Sequence, residues 1–397
     1  MKLRVTYVFT IVLLATAGSV SAQTLFSTRG LGVPLPAVDA RARALGGLGV
    51  GLLGLNTSLV NPAEIAGLGR RGVAAALQPS SGSSEVAGVE DDLSASRFPL
   101  IRVIYPVSSR VVASVGYGGV LDESWAIATD GFERIGSDSV ATRDVLRSTG
   151  GLGQVSVTFA YSVTPSLAIG IGGGLYTGSV QRRALRQFTD TAFALADFET
   201  RLRWEYRAPV AVAGVRFDPN PNLRVGASVT VPGTLDVRAK EGAVEDGEIR
   251  MPISASFGAS TWLAPELLLA AGAEWSGRGG GETNVFEDGT VVRRNAWRYG
   301  GGVEWEGLSS GTRTFPVRLG GSFAQLPYYN EDEAAPSEWS AAFGLGFRLA
   351  GDEAGPLAVA DIGIERGGRT GLESTRIAEG VTESFWRFTF SLSLFGR

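Results

Sequence analysis

The chain contains no cysteine and no histidine. The first absence excludes a disulfide framework and any thiolate metal site. The second removes the usual general base and the commonest zinc ligand together. After Gln23 no uninterrupted run of about 20 apolar residues occurs, so no segment of the mature chain reads as a spanning helix. No basic run stands out either. The formal net charge of -4 comes from mixed charges, without the footprint of a nucleic-acid partner. Glu90-Asp91-Asp92 and Glu331-Asp332-Glu333 are acidic clusters in polar stretches, but neither has EF-hand spacing, and both read as solvated charge rather than a metal site. No carboxylate pair is singled out as an acid and base couple, so the chain reads as no enzyme and calls for no cofactor.

What is abundant is glycine, 55 residues of it, with no three-residue period and therefore no collagen. The first residues form an export signal. Lys2 and Arg4 make a positive n-region, residues 8–17 an apolar h-region, and Val20-Ser21-Ala22 a small-residue cleavage site before Gln23. A single anchoring helix is the competing reading, and the apolar core is short for it. The expected organisation is a signal peptide over 1–22, an N-terminal plug over 23–71 and a barrel over 72–397.

From Gly72 onward apolar residues recur with period two, which places alternate side chains on opposite faces of strands. Trp339, Ala341, Phe343, Leu345 and Phe347 alternate with Ser340, Ala342, Gly344, Gly346 and Arg348. Val155, Val157, Phe159 and Tyr161 alternate with Ser156, Thr158 and Ala160. A soluble sandwich would alternate too. Here the second face is Gly, Ser, Thr, Ala and isolated charges, while bulky residues with Trp or Tyr near strand ends fill the first. That is the pattern of a transmembrane β-barrel with a polar lumen. Arg298, Glu304, Glu274 and Arg318 are then expected in the lumen, away from hydrocarbon.

Fourteen strands are predicted, near 72–79, 98–107, 110–120, 151–163, 166–178, 207–217, 222–232, 250–262, 266–276, 294–306, 315–324, 338–349, 357–366 and 383–395. Tight links alternate with long polar ones (79–97, 121–150, 179–206, 233–249, 277–293, 325–337 and 367–382). Short turns at one rim and long loops at the other, with an even strand number, belong to outer-membrane barrels. Closure also leaves no free edge in lipid. The last strand ends at Phe395, which resembles the C-terminal signal read by the barrel-assembly machinery.

Two local patterns fall before the strands. Gly49, Gly51 and Gly54 match a dinucleotide fingerprint, but the βαβ context it needs is missing, and close packing against a barrel wall is the better reading. Asn61-Pro62-Ala63-Glu64 reads as a helix start: Asn61 as N-cap, Pro62 at the first position and Glu64 at N3 of a capping box. Gly67 and Gly69 would end it after about two turns.

The run from Ala40 to Gly47 (Ala-Arg-Ala-Arg-Ala-Leu-Gly-Gly), followed by Asn61-Pro62-Ala63-Glu64-Ile65-Ala66, resembles the FadL-type outer-membrane transporters of hydrophobic compounds. Phe315-Pro316-Val317-Arg318 and Glu383-Ser384-Phe385-Trp386-Arg387 are similar too. The chain departs from the pattern at Leu48 and Val60, where a methionine and an aromatic are usual. The resemblance implies a bacterial outer-membrane location and a fourteen-stranded barrel with an N-terminal hatch. In that hatch Gly46, Gly47, Asn61, Pro62, Ala63 and Glu64 would take part. It also implies passive uptake of long-chain fatty acids or aromatic hydrocarbons, and a lateral opening at a kinked third strand, where Gly116, Gly118 and Gly119 permit a bend. Partners would be the hydrophobic ligand, outer-membrane lipid and lipopolysaccharide, around a monomer. Two other readings compete. A related barrel subfamily carries or anchors exported proteins of a specialised secretion system, which predicts co-purifying secreted partners. A general aqueous pore predicts steady ion conductance, and the plug argues against it.

Overall fold

The computed structural model describes residues 24–396, apart from 48, 87–88, 189–194, 243–244, 280–291, 311–312, 330–333, 353–354 and 375–376. The export signal over 1–22 and the acidic cluster at 331–333 lie outside the described residues. The remainder is built on fourteen antiparallel strands: β1 (Gly72–Val86), β2 (Val89–Pro106), β3 (Val111–Asp122), β4 (Asp138–Ser162), β5 (Leu167–Phe188), β6 (Phe198–Asn220), β7 (Leu223–Pro232), β8 (Ser254–Ala264), β9 (Leu267–Ser276), β10 (Ala296–Trp305), β11 (Val317–Gln325), β12 (Ser337–Asp352), β13 (Gly355–Ser374) and β14 (Ile377–Phe395). Each pairs with the next, and β14 pairs with β1 from Gly72 opposite Phe395 to Glu85 opposite Thr382, so the sheet closes. Closure pairs the strands around the cylinder and leaves no open sheet edge facing hydrocarbon.

The alternation behaves as the pleat demands. On β5, Ile169, Ile171 and Leu175 face outward, while Ala168, Tyr176 and Val180 are buried inside. With Val155 and Val157 on β4, Val115 and Tyr117 on β3, and Val215 and Phe217 on β6, they form an exposed apolar band. Short turns occupy one rim, closed for example by Val107 N–H to Val111 C=O at 2.9 Å and Val163 N–H to Leu167 C=O at 2.9 Å.

The opposite rim differs from the expected long loops. β1 and β2 stay paired to Val86 opposite Val89, through the stretch read as a polar link, and Glu90, Asp91 and Asp92 are exposed on that ladder. β4, β5 and β6 run 25, 22 and 23 residues. In the upper part of β1 and β2 the apolar alternation fades while the backbone ladder continues. Three accessory strands thicken this rim: Trp125–Ile135 on β4, Thr234–Glu241 on β6, and Gly247–Arg250 beside the latter. Their inner face holds a core of Leu31, Tyr176, Val180, Trp204, Tyr206, Leu235 and Val237.

Candidate functional site: the lumen segment and a seam in the wall

Most of the described residues from Thr24 to Ala66 are buried, packed against inward-facing residues of the strands. The helix Ala40–Ala44 is capped by Asp39, whose carboxylate accepts from Ala42 N–H at 2.9 Å and, through its other oxygen, from Thr57 Oγ1 at 2.7 Å. A short strand, Val33–Pro34, precedes it. The Asn61 side chain caps the 3-10 turn Pro62–Ile65 by accepting from Ala63 N–H at 2.9 Å. This turn is shorter than the two turns expected. Glu64 does not close a capping box. Instead it accepts from Gly51 N–H at 2.7 Å and from Asn61 Nδ2 at 3.3 Å, tying the glycine run to the turn.

The lumenal segment fits the wall backbone to backbone. A Cβ at wall residue Gly258 would fall 2.2 Å from the Val50 carbonyl oxygen, and one at Gly300 would fall 2.1 Å from that of Gly46. At Gly320 it would fall 2.4 Å from the Ala44 carbonyl oxygen, at Gly170 2.4 Å from the Ala63 nitrogen, and at Gly214 2.0 Å from Asn61 Oδ1. No Cβ fits at such distances. Several of these wall glycines are cross-strand partners: Gly226 with Gly258, Gly302 with Gly320, Gly170 with Gly214. Gly46 and Gly51, on the inner side of the contact, also hold φ of 96° and 69°, which side-chain-bearing residues rarely adopt.

Ion pairs bind the same surfaces. Arg41 donates through Nε and Nη2 to the two oxygens of Glu304, both at 2.8 Å. Arg318 links Glu304 to Asp361, the latter at 2.7 Å. A second cluster begins at Arg43, 4.0 Å from Glu365, and continues through Arg387, Glu338 and Arg369 to Glu383. Glu383 accepts from Thr24 Oγ1 and Leu25 N–H at 2.6 Å each. Arg102 donates to the Ser58 carbonyl at 2.7 Å, and Arg224 to that of Leu52 at 2.9 Å. Removing one partner of such a buried pair typically costs about 3–5 kcal/mol, because the other charge stays in a poor solvent. Near the short-turn rim the lumenal segment leaves a cavity of about 1280 Å³, bordered by Arg41, Leu53, Trp262, Glu304, Arg318 and Phe347.

The wall has one seam of a different kind. Pairing of β2 with β3 stops at Leu100 opposite Gly118. The next residue of β2 is Pro99, which has no N–H to continue a ladder. β3 goes on to Asp122 with a register shift between Gly119 and Leu121 against β4. Its vacated edge is taken by the lumenal segment: Val33 pairs with Asp122, Pro34 with Leu121, and Leu35 N–H donates to Val120 C=O at 2.9 Å. Arg97 on β2 forms an ion pair with Asp122 across the gap. The seam begins just above Tyr117, at the upper margin of the apolar band.

Gly116 lies just below this seam, still paired opposite Arg102, and Gly118 and Gly119 stand at its start. Added Cβ atoms would meet Leu59 Cδ2 at 2.6 Å, Ala37 Cβ at 2.6 Å and Leu35 Cδ2 at 2.4 Å. Gly46, Asn61, Pro62, Ala63 and Glu64 lie on the mid-lumen contact, and Gly47 approaches the Arg43 guanidinium. Of the charges expected in the lumen, Glu304 and Arg318 meet in one cluster. Arg41, Arg43, Asp361 and Glu365, their partners and neighbours, were not singled out. Alternate-face charges mark the lumen but carry no information about who pairs with whom across the barrel.

This arrangement, a closed fourteen-stranded barrel with its N-terminal segment folded into the lumen, is the FadL-type outer-membrane fold. Solved structures with this fold include a FadL homologue of Pseudomonas aeruginosa (12% identical, 91% of this chain and 99% of that one, TM-score 0.60). The toluene transporter TbuX of Ralstonia pickettii is 16% identical over 91% and 99% of the two chains, with a TM-score of 0.56. The CymD monoaromatic hydrocarbon channel is 15% identical over 92% and 98%, with a TM-score of 0.55. No curated protein matches the chain. A family model described as BamG matches residues 1–397, and the chain belongs to the BamG family.

Proposed function

We propose that the protein is an outer-membrane channel for passive uptake of hydrophobic small molecules, long-chain fatty acids or aromatic hydrocarbons, with the lumenal segment as its gate. One observation carries this reading: β2 leaves β3 at Pro99, and the segment's own strand supplies the missing edge. A wall sealed by a non-wall element opens when that element withdraws. The seam sits at the margin of the apolar band, where a hydrophobic molecule arrives by partitioning, and burial of its surface there gains about 25 cal/mol per Å². The FadL-type fold supports the same reading. β14, ending in Phe395, is the segment we assign to recognition by the assembly machinery.

The test exploits the absence of cysteine. Pro34→Cys with Leu121→Cys places two thiols on facing positions of the seam, within reach of a disulfide. Oxidised protein in proteoliposomes should stop taking up labelled oleate and toluene, and a reductant should restore uptake. Equal uptake in both states would refute gating at the seam. A second reading, a barrel that carries or anchors exported proteins, is favoured by the ion pairs that fasten the lumenal segment. It predicts no uptake in either redox state and co-purification of secreted partners.

A further inference from the structure

A second, much smaller cavity lies where residues 33–36 of the lumenal segment approach the charged inner wall. Its volume is about 10 Å³, room for one water-sized species and no more. Five arginines line it: Arg43 of the lumenal helix, Arg97 on β2, Arg298 on β10, Arg369 on β13 and Arg387 on β14. Its carboxylates are Asp122 and Glu338. The Phe385 ring lies 4.6 Å from the Arg369 guanidinium and 4.4 Å from that of Arg387, and backs both.

The carboxylates of this neighbourhood already hold cations. Asp122 pairs with Arg97, Glu338 with Arg369 at 2.7 Å, Glu365 with Arg387 at 3.0 Å, and Glu383 with Arg369 at 3.0 Å. Arg298 is left over. It is 8% exposed, and among the described residues no hydrogen bond or ion pair holds it. Glu274 stands opposite it on β9 but lines no part of the cavity. Arg43 and Arg387, 4% and 5% exposed, each keep an Nε with no hydrogen-bond partner among the described residues. Gln78 Oε1 is unpartnered too. With that amide turned over, Thr389 donates to the oxygen and the N–H2 takes the unpartnered place, so this lining group becomes a donor as well. Buried N–H groups are nearly always paired, and a buried charge without a counter-charge is costly. Guanidinium groups only donate. The species that completes the cavity is therefore an acceptor, negatively charged, and about the size of one atom. A water meets the first and last of these conditions and leaves the charge of Arg298 unanswered.

We propose that this cavity is a chloride site, in which the ion ties Arg43 of the lumenal segment to Arg298 and Arg387 of the wall. Phosphate, sulfate and carboxylate heads are too large for it. The site stands independently of the uptake reading. The test uses the full chain in detergent micelles. At constant ionic strength, replacing sodium gluconate, whose anion does not fit, by sodium chloride or bromide should raise the midpoint of thermal unfolding saturably, by about 2–4 °C. Crystals grown in bromide should show an anomalous peak between the guanidinium groups of Arg43, Arg298 and Arg387. Arg298→Gln removes the surplus charge and should abolish both the rise and the peak. Arg183→Gln, at an exposed position on β5, should keep both. The unmodified protein decides the matter even where Arg298→Gln does not fold. Equal midpoints in chloride and gluconate, or a water in the cavity with no anomalous signal, overturns the proposal. A peak without a midpoint response means binding at crystal concentration only, and overturns it as well. So does an Arg298→Gln protein that keeps the full chloride response.

Discussion

The lumenal segment meets the wall in two ways. At mid-lumen, around Gly258, Gly300 and Gly320, main chain lies on main chain, and buried ion pairs from Arg41 and Arg43 cross the contact. At and just below the seam, Gly116, Gly118 and Gly119 face side-chain carbons of Leu59, Ala37 and Leu35, and two residue pairs of strand complete the contact. The first kind of contact cannot be adjusted, because a carbonyl fixed by its neighbours has nowhere to go. The second can at Gly116 and Gly119, because Leu59 and Leu35 change rotamer, although the Ala37 Cβ against Gly118 has none to change. The segment is therefore fastened in the middle and adjustable at the outer edge, the distribution that a gate at the seam needs.

The most damaging way to probe this contrast is at the fastening. Arg318→Ala would leave Glu304 and Asp361 buried without their shared cation, at a cost of about 3–5 kcal/mol. Denaturant unfolding in micelles should show the loss as a lower midpoint. Gly258→Ala comes next: its Cβ would strike the Val50 carbonyl oxygen, and overpacking of this sort costs about 1–3 kcal/mol in the same measurement. Gly119→Ala should be the mildest, within about 1 kcal/mol, because the Leu35 side-chain terminus it meets can turn aside. If Gly119→Ala costs as much as Gly258→Ala, the contrast between a rigid centre and an adjustable seam is lost.

Much of the wall was legible because lipid imposes a simple rule on it. The alternations through Val155 to Tyr161 and Trp339 to Phe347 survive as outward and inward faces, and all fourteen predicted strands coincide with observed ones. The ladders beyond the band, such as β1 with β2 up to Val86 and Val89, were read as loops, because their Ser, Gly, Asp and Glu residues weaken the apolar signal while backbone pairing persists. The cap at Asn61 was legible in its own four residues. The partner of Glu64 was not, since Gly51 N–H reaches it only through a turn of the chain inside the barrel. Pro99 was in plain view, yet its consequence depends on which strand lies beside it.

Composition and period alone determined a barrel of fourteen strands, its inside and outside, and a surplus glycine-rich segment ahead of them. Those properties are local: each residue's side of the pleat follows from its neighbours and from the medium it faces. The tertiary structure decided where the surplus segment goes, which glycines are contacts, which arginine meets which carboxylate, and which gap in the wall the segment closes. Those are relations between residues up to hundreds of positions apart, and only closure of the cylinder brings them within reach of one another.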